Sequence, residues 1–201
     1  MKMPRETIGF LMLLSVVHAS VRPQKNFDLQ KFAGRWYRVG LAYDSPGFVP
    51  YRSKLTISTG VVVPQETGNV NVTMWSLLSS GCKRKVYIYE RTSVPGVFNY
   101  YSSRHRRMND VTVVETNYNE YALVLKHRKL DKELSQVSLY GRTKKLRTDL
   151  MEKFRAYATA LGFSKESILT PPSASKQNLK LSYEGVLITE VFKAVLDPFE
   201  F

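Results

Sequence analysis

The chain has 201 residues, 43% of them hydrophobic and 12% aromatic, which suits one soluble globular domain with a full core. Its formal charge of +13 raises nucleic acid as a partner. However, the basic residues fall in separate clusters (CKRK, SRHRRM, KHRK and RTKKLR) at strand ends and loops, with no zinc-finger or ribonucleoprotein signature, which argues against a dedicated nucleic-acid reader.

The first nineteen residues read as a secretory signal peptide. Lys2 and Arg5 precede an apolar run from Ile8 to Val17, and Val17-His18-Ala19 supplies small residues before a cut after Ala19. The run is too short to span a bilayer, and no later stretch is long and apolar enough to do so. From Gly34 to Arg142 the pattern is strand after strand. WYRVGLAY ends at DSPG, KLTISTGVVV at PQETGN, VNVTMWSLL at SSG and KVYIYERT at SVPG; VFNYYS, DVTVVETNY, YALVLKH and LSQVSLYGR complete eight candidates. A meander this regular predicts an all-β, up-and-down antiparallel barrel or a sandwich, and the barrel removes the exposed edges by closing.

Three features sit along this meander. Asn71-Val72-Thr73 is an N-glycosylation sequon, usable if the protein is exported. Cys82 is the only cysteine, so it forms no internal disulfide. In an exported protein it is either a free thiol or half of an intermolecular bridge. One cysteine and three scattered histidines build no zinc site, and neither metal nor cofactor is expected. Beyond the strands, Leu146, Leu150, Phe154, Tyr157 and Leu161 recur at steps of three and four, predicting one helix packed on the outside of the barrel. Thr148 or Asp149 is the expected cap and Gly162 the expected C-terminal stop. PPSASKQN reads as a polar linker to an apolar tail of unassigned role. The expected division is a signal peptide at 1–19, a barrel domain at 20–172 and a C-terminal extension at 173–201.

Gly34-Arg35-Trp36-Tyr37 at the first strand, Thr116-Asn117-Tyr118 between the sixth and seventh, and Arg142 at the end of the eighth together resemble the three motifs of the lipocalin family, over roughly Phe27 to Pro172. The resemblance implies that NFDLQKF closes one end of the barrel, that Trp36 plugs it, and that Arg142 covers the indole. Gly34, Trp36, Thr116, Tyr118 and Arg142 are then residues of the fold. Within the family the chain is most similar to the lipocalin-type prostaglandin D synthases, alpha-1-microglobulin and the epididymal lipocalins, through VVETNYNEYALVL and VSLYGRTKKLR. The synthases isomerise prostaglandin H2 with a thiolate on the second strand, and aligning KLTISTGVVVP with that strand puts Ser58 at its position. Serine without an activating base is a poor nucleophile near neutral pH.

Other departures follow from the resemblance. The family's usual disulfide joins the cysteine aligned with Cys82 to one after the helix, where this chain has none. The missing bridge costs on the order of 2–4 kcal/mol relative to relatives that have it. Alpha-1-microglobulin carries a reactive thiol on the loop after its first strand, where this chain has YDSPGF and no cysteine.

Trp36 fixes the parity of the first strand, so strict alternation puts Arg38, Gly40 and Ala42 inside. On the second strand Thr56, Ser58 and Gly60 share one face. The likeness to the synthases turns Met74 and Ser76, Tyr87 and Tyr89, Phe98 and Tyr100, Val124 and Lys126, and Ser138 and Tyr140 inward, unless a β-bulge flips part of the set. The candidate ligand-binding residues are Arg38, Ser58, Met74, Tyr87, Phe98, Tyr100, Val124, Lys126, Ser138 and Tyr140. A buried cation needs an anionic or strongly polar partner. The expected function is therefore a secreted carrier of a small lipophilic ligand, an acid such as a retinoid or fatty acid, and not an enzyme. The rivals are a protein-interaction role through the basic rim or Cys82, and a prostaglandin isomerase, which Ser58 disfavours.

Overall fold

The structure is a computed structural model that describes residues 21–43, 46–78, 81–103, 106–128 and 134–171. The expected signal peptide and the extension at 173–201 lie outside these residues. A short helix α1 (Leu29–Phe32) precedes the eight barrel strands β1 (Gly34–Ala42), β2 (Ser58–Pro64), β3 (Val70–Leu78), β4 (Gly81–Arg91), β5 (Val97–Ser102), β6 (Arg107–Thr116), β7 (Tyr121–Arg128) and β8 (Leu134–Gly141). Helix α2 (Thr148–Ala160) and a two-residue strand β9 (Ile168–Leu169) follow. Each strand pairs antiparallel with its neighbour in sequence, and β1 pairs with both β2 and β8, which closes the ring. Glycines at positive φ, Gly68 and Gly96, turn two of the hairpins.

One end of the barrel is sealed. Asp28 caps α1 by accepting from the backbone N–H groups of Gln30 and Lys31, and its own N–H donates to the Tyr118 hydroxyl at 3.0 Å. Phe32 from this helix packs on Trp36, which is 2% exposed and donates through Nε1 to the Phe32 carbonyl at 2.8 Å. Arg142 lies over the indole with its Cζ 3.8 Å from the ring centroid. Its three nitrogens donate to the carbonyls of Tyr118, Arg35 and Lys31 at 2.8, 2.8 and 3.0 Å. Asn117 holds the adjoining turn: its Oδ1 accepts from the N–H groups of Glu120 and Tyr121.

β1 departs from strict alternation. Its register against β8 slips between Arg38 and Gly40, the mark of a bulge. Arg38 pairs with Tyr140 before the slip, whereas Gly40 pairs with Leu139 and Ala42 with Val137 after it, on the outer face. Gly40 and Ala42 therefore face α2 and not the interior, and Leu41, paired with Ser138, turns in. Packing explains the change. A Cβ on Gly40 would stand 2.7 Å from Phe154 Cε1, so only glycine lets the helix seat this closely.

On that outer face Phe154 and Ala158 of α2 bury against Val39, Leu123, Leu125, Val137 and Leu139, and Leu150 of the same helix is buried too. Burial of the Phe154 ring alone contributes about 1.5–3 kcal/mol. Neither Thr148 nor Asp149 caps the helix. Arg147 occupies the cap position without a side-chain bond to it and instead pairs with Glu120 and Asp149. Asp149 sits in the first turn, where a carboxylate favours the helix dipole, and Gly162 follows the helix at φ +93°.

Candidate functional site

The barrel interior has two levels. The lower is a narrow apolar chamber resting on Trp36, Phe32 and Leu29. Its walls are Gly60 and Val62 of β2, Val70, Val72 and Met74 of β3, Tyr89, Phe98, Val111, Val113, Val124 and Tyr140. Gly60 matters here because a Cβ would stand 2.5 Å from Met74 Sδ, in the space the thioether fills. Of the residues expected inside from the sequence, Gly60, Met74, Tyr89, Phe98, Val124 and Tyr140 line this chamber.

The upper level, toward the open end, is polar. Arg38 donates through Nη2 to Ser58 Oγ at 3.1 Å, and the Ser58 and Ser76 hydroxyls are 2.9 Å apart. Lys126 Nζ donates to the Tyr100 hydroxyl and stands 4.4 Å from that ring's centroid. Gln136, paired with Lys126, donates to Ser138 Oγ at 2.7 Å. Tyr100 packs on Tyr89 and edge-on to Tyr87, so three phenols line one wall. Arg38, Ser58, Tyr87, Tyr100, Lys126 and Ser138 thus gather above the chamber, outside its lining. Thr56 precedes β2 and its hydroxyl donates to the Leu77 carbonyl.

Burial sets the electrostatics. It pushes the Lys126 ammonium down to about 8, with Arg107 and Arg38 acting the same way and Tyr43 opposing. Burial also raises the phenols of Tyr87, Tyr89 and Tyr100, so they remain neutral hydrogen-bonding groups at neutral pH. Ser58 is 1% exposed. Its two side-chain neighbours are a guanidinium and a hydroxyl, and neither can take its proton. Among the described residues His127 is the one histidine, on the opposite face of β7 from Lys126, and no cluster of His, Cys, Asp or Glu fit for a metal forms. Cys82 is exposed at the start of β4. Asn71 pairs with Val63 and Ile88, both exposed, and so faces outward.

The part of the lower chamber that went unread from the sequence is its valines other than Val124, with Leu29 and Phe32. Val62 shares the parity of Ser58 and Gly60, which was a usable signal. Val111 and Val113 sit in VTVV, where the alternation with Thr112 breaks at Val114 and both faces of β6 are covered, so the inward face does not stand out. Leu29 and Phe32 belong to the closing segment, at an i, i+3 spacing on one side of α1.

Residues 33–174 match the Lipocalin / cytosolic fatty-acid binding protein family. The chain belongs to the lipocalin family. It is 33% identical over 171 residues to the prostaglandin-H2 D-isomerase of Mus musculus, covering 84% of this chain and 89% of the relative. The Rhinella marina protein named "Lipocalin" is 34% identical over 157 residues, covering 78% and 86%. Among solved structures, one titled "The Siderocalin Ex-FABP functions through dual ligand specificities" superposes with a TM-score of 0.62 at 25% identity, over 72% of this lipocalin and 96% of that chain. Family and fold together make this a protein for binding small lipophilic ligands.

Proposed function

We propose that this lipocalin is exported and carries a small lipophilic acid, with its apolar body in the lower chamber and its carboxylate at the polar level. The observation that carries the reading is the stacking of the two levels. An apolar chamber is topped by inward cations, Arg38 and Lys126 with the half-buried Arg107 near them, set among neutral hydroxyls. A carboxylate arriving there recovers part of the desolvation cost of Arg38 and Lys126, whereas an alcohol of the same shape does not. A retinoid or fatty acid has the required chemistry. Residues 1–19 would supply the export signal, and the outward-facing Asn71 would accept a glycan.

The relatives named prostaglandin-H2 D-isomerase give the enzymatic reading its weight. Against it stands Ser58, a hydroxyl with no base beside it at the position of their nucleophile. We therefore read the protein as a carrier and not as an isomerase, and incubation with prostaglandin H2 is expected to give no product above the uncatalysed background.

Tryptophan quenching on titration with all-trans retinoic acid and with retinol tests the carrier. The expected result is micromolar or tighter binding of the acid, at least tenfold weaker binding of the alcohol, and loss of that preference in Lys126→Ala. Equal binding of acid and alcohol by the wild-type protein would overturn the anchor.

A further inference from the structure

The barrel brings separate stretches of sequence to one end. β1, β3, β5 and β7 end, and β2, β4, β6 and β8 begin, at the end opposite Trp36. Three of the four basic clusters therefore converge there, although they are far apart in the chain. CKRK opens β4, SRHRRM spans the turn from β5 to β6, and KHRK closes β7. Lys54, Lys83, Arg84, Lys85 and Arg106 are exposed, and Arg107 is half-buried beside them. Among the described residues only two carboxylates are near. Asp110 is buried. Glu166 is held below the usual carboxylate range by hydrogen bonds to its own backbone N–H and to Ser164, with smaller help from the nearby charges of Arg52 and Lys165. The closed end is mixed in sign, with Asp28, Glu66, Glu90 and Glu120 among its cations.

Geometry presents this charge at the mouth, with Arg84 on the outer face of β4 and the exposed Lys83 and Lys85 on the face it shares with Tyr87 and Tyr89. β4 pairs with β3 all the way to Gly81, but with β5 only at Glu90 and Arg91. The β3–β4 ribbon that carries Lys83, Arg84 and Lys85 therefore projects past its other neighbour. Apolar tips stand in the same rim: Val49, Leu77 and Tyr101 are 49%, 38% and 58% exposed. Cations alone would suit any polyanion. Cations interleaved with an exposed tyrosine and two aliphatic side chains suit a lipid interface, where the charges meet headgroups and the apolar groups enter the acyl boundary.

We propose that the open end of the barrel docks on anionic phospholipid bilayers, with its mouth toward the membrane. Docking in this orientation puts the cavity opening against the phase from which a lipophilic ligand is drawn or into which it is released. It does not depend on which ligand the cavity holds.

The test is co-sedimentation of the protein, expressed from its full sequence in an exporting eukaryotic host, with vesicles at about 0.15 M salt. Vesicles of phosphatidylcholine alone are compared with vesicles containing about 30 mol% phosphatidylserine. Binding is expected only to the anionic vesicles. The triple variant Lys83→Ala/Arg84→Ala/Lys85→Ala should lower the partition coefficient about a hundredfold, since each cation near the surface is worth a factor of about five. Lys54→Ala/Arg106→Ala, on other elements, should lower it about twentyfold. Tyr101→Ser should also weaken binding, and weaken it still at a salt concentration high enough to screen the charges, as insertion requires. An unchanged thermal midpoint confirms that each variant is folded. No binding to the anionic vesicles, or binding that these substitutions leave unchanged, would overturn the proposal. Retention on a sulfated polysaccharide without vesicle binding would also overturn it and assign the rim to such a glycan.

Discussion

The two ends of this barrel handle an inward-facing arginine in opposite ways. At the closed end Arg142 spends its guanidinium on three backbone carbonyls and an indole face, so its charge is consumed by the fold. Toward the open end Arg38 reaches one serine hydroxyl that is itself shared with a second serine. The same side chain is a lid in one place and an available donor in the other. The difference lies in the partners and not in the arginine. Carbonyls near Arg142 come from a turn and a closing helix built to face it, while β2 and β3 offer Arg38 only small hydroxyls. A guanidinium fully met by fixed acceptors stabilises; one partly met stays ready for a ligand.

The largest test of this contrast is at the plug. Trp36→Ala removes a buried indole from between Phe32 and Arg142 and should cost about 3–5 kcal/mol in urea unfolding. Next comes the same substitution at both arginines. Arg142→Met should cost about 2–3 kcal/mol, because three carbonyls lose a charged donor. Arg38→Met should change stability by less than about 1 kcal/mol, since it removes a cation that burial penalises. It should, however, weaken retinoic acid binding about tenfold, the loss of one charge-assisted contact. Equal destabilisation by the two substitutions would break the contrast. The smallest expected effect is Asn117→Asp, a loss of about 0.5 kcal/mol by thermal melting. A carboxylate oxygen can accept the same two N–H groups but replaces the exposed amide that donates weakly to Glu120.

The closed end was legible in the sequence because its parts are chemically particular. A glycine at positive φ, an indole, a Thr-Asn-Tyr turn and a late arginine each have few alternative uses. The strands were legible from turn residues and alternation, and α2 from its period. What failed did so where packing overrode a local rule. The bulge after Arg38 answers to a phenyl ring more than a hundred residues away, so alternation carried Gly40 and Ala42 to the wrong side. The cap of α2 went to Arg147, whose side chain is engaged with Glu120, and not to the better capping residues after it. The basic clusters looked scattered because the strands that unite them at one end are distant in the chain. The valines of the lower chamber looked like ordinary core, and in composition they are.

The most direct measurement is the affinity for retinoic acid and for retinol as a function of pH between about 7 and 9.5, bracketing the shifted lysine. Lys126 titrates near 8 because burial favours its neutral form, so it is charged below that value and loses its charge above it. The acid itself stays ionised across the range. Burial holds the phenols of Tyr87 and Tyr100 above the usual tyrosine range, so they do not titrate in this window. Affinity for the acid should therefore fall as pH rises through about 8 and beyond, affinity for the alcohol should stay level, and Lys126→Ala should flatten the acid curve. A wild-type acid curve as flat as the alcohol's would contradict a lysine-anchored carboxylate.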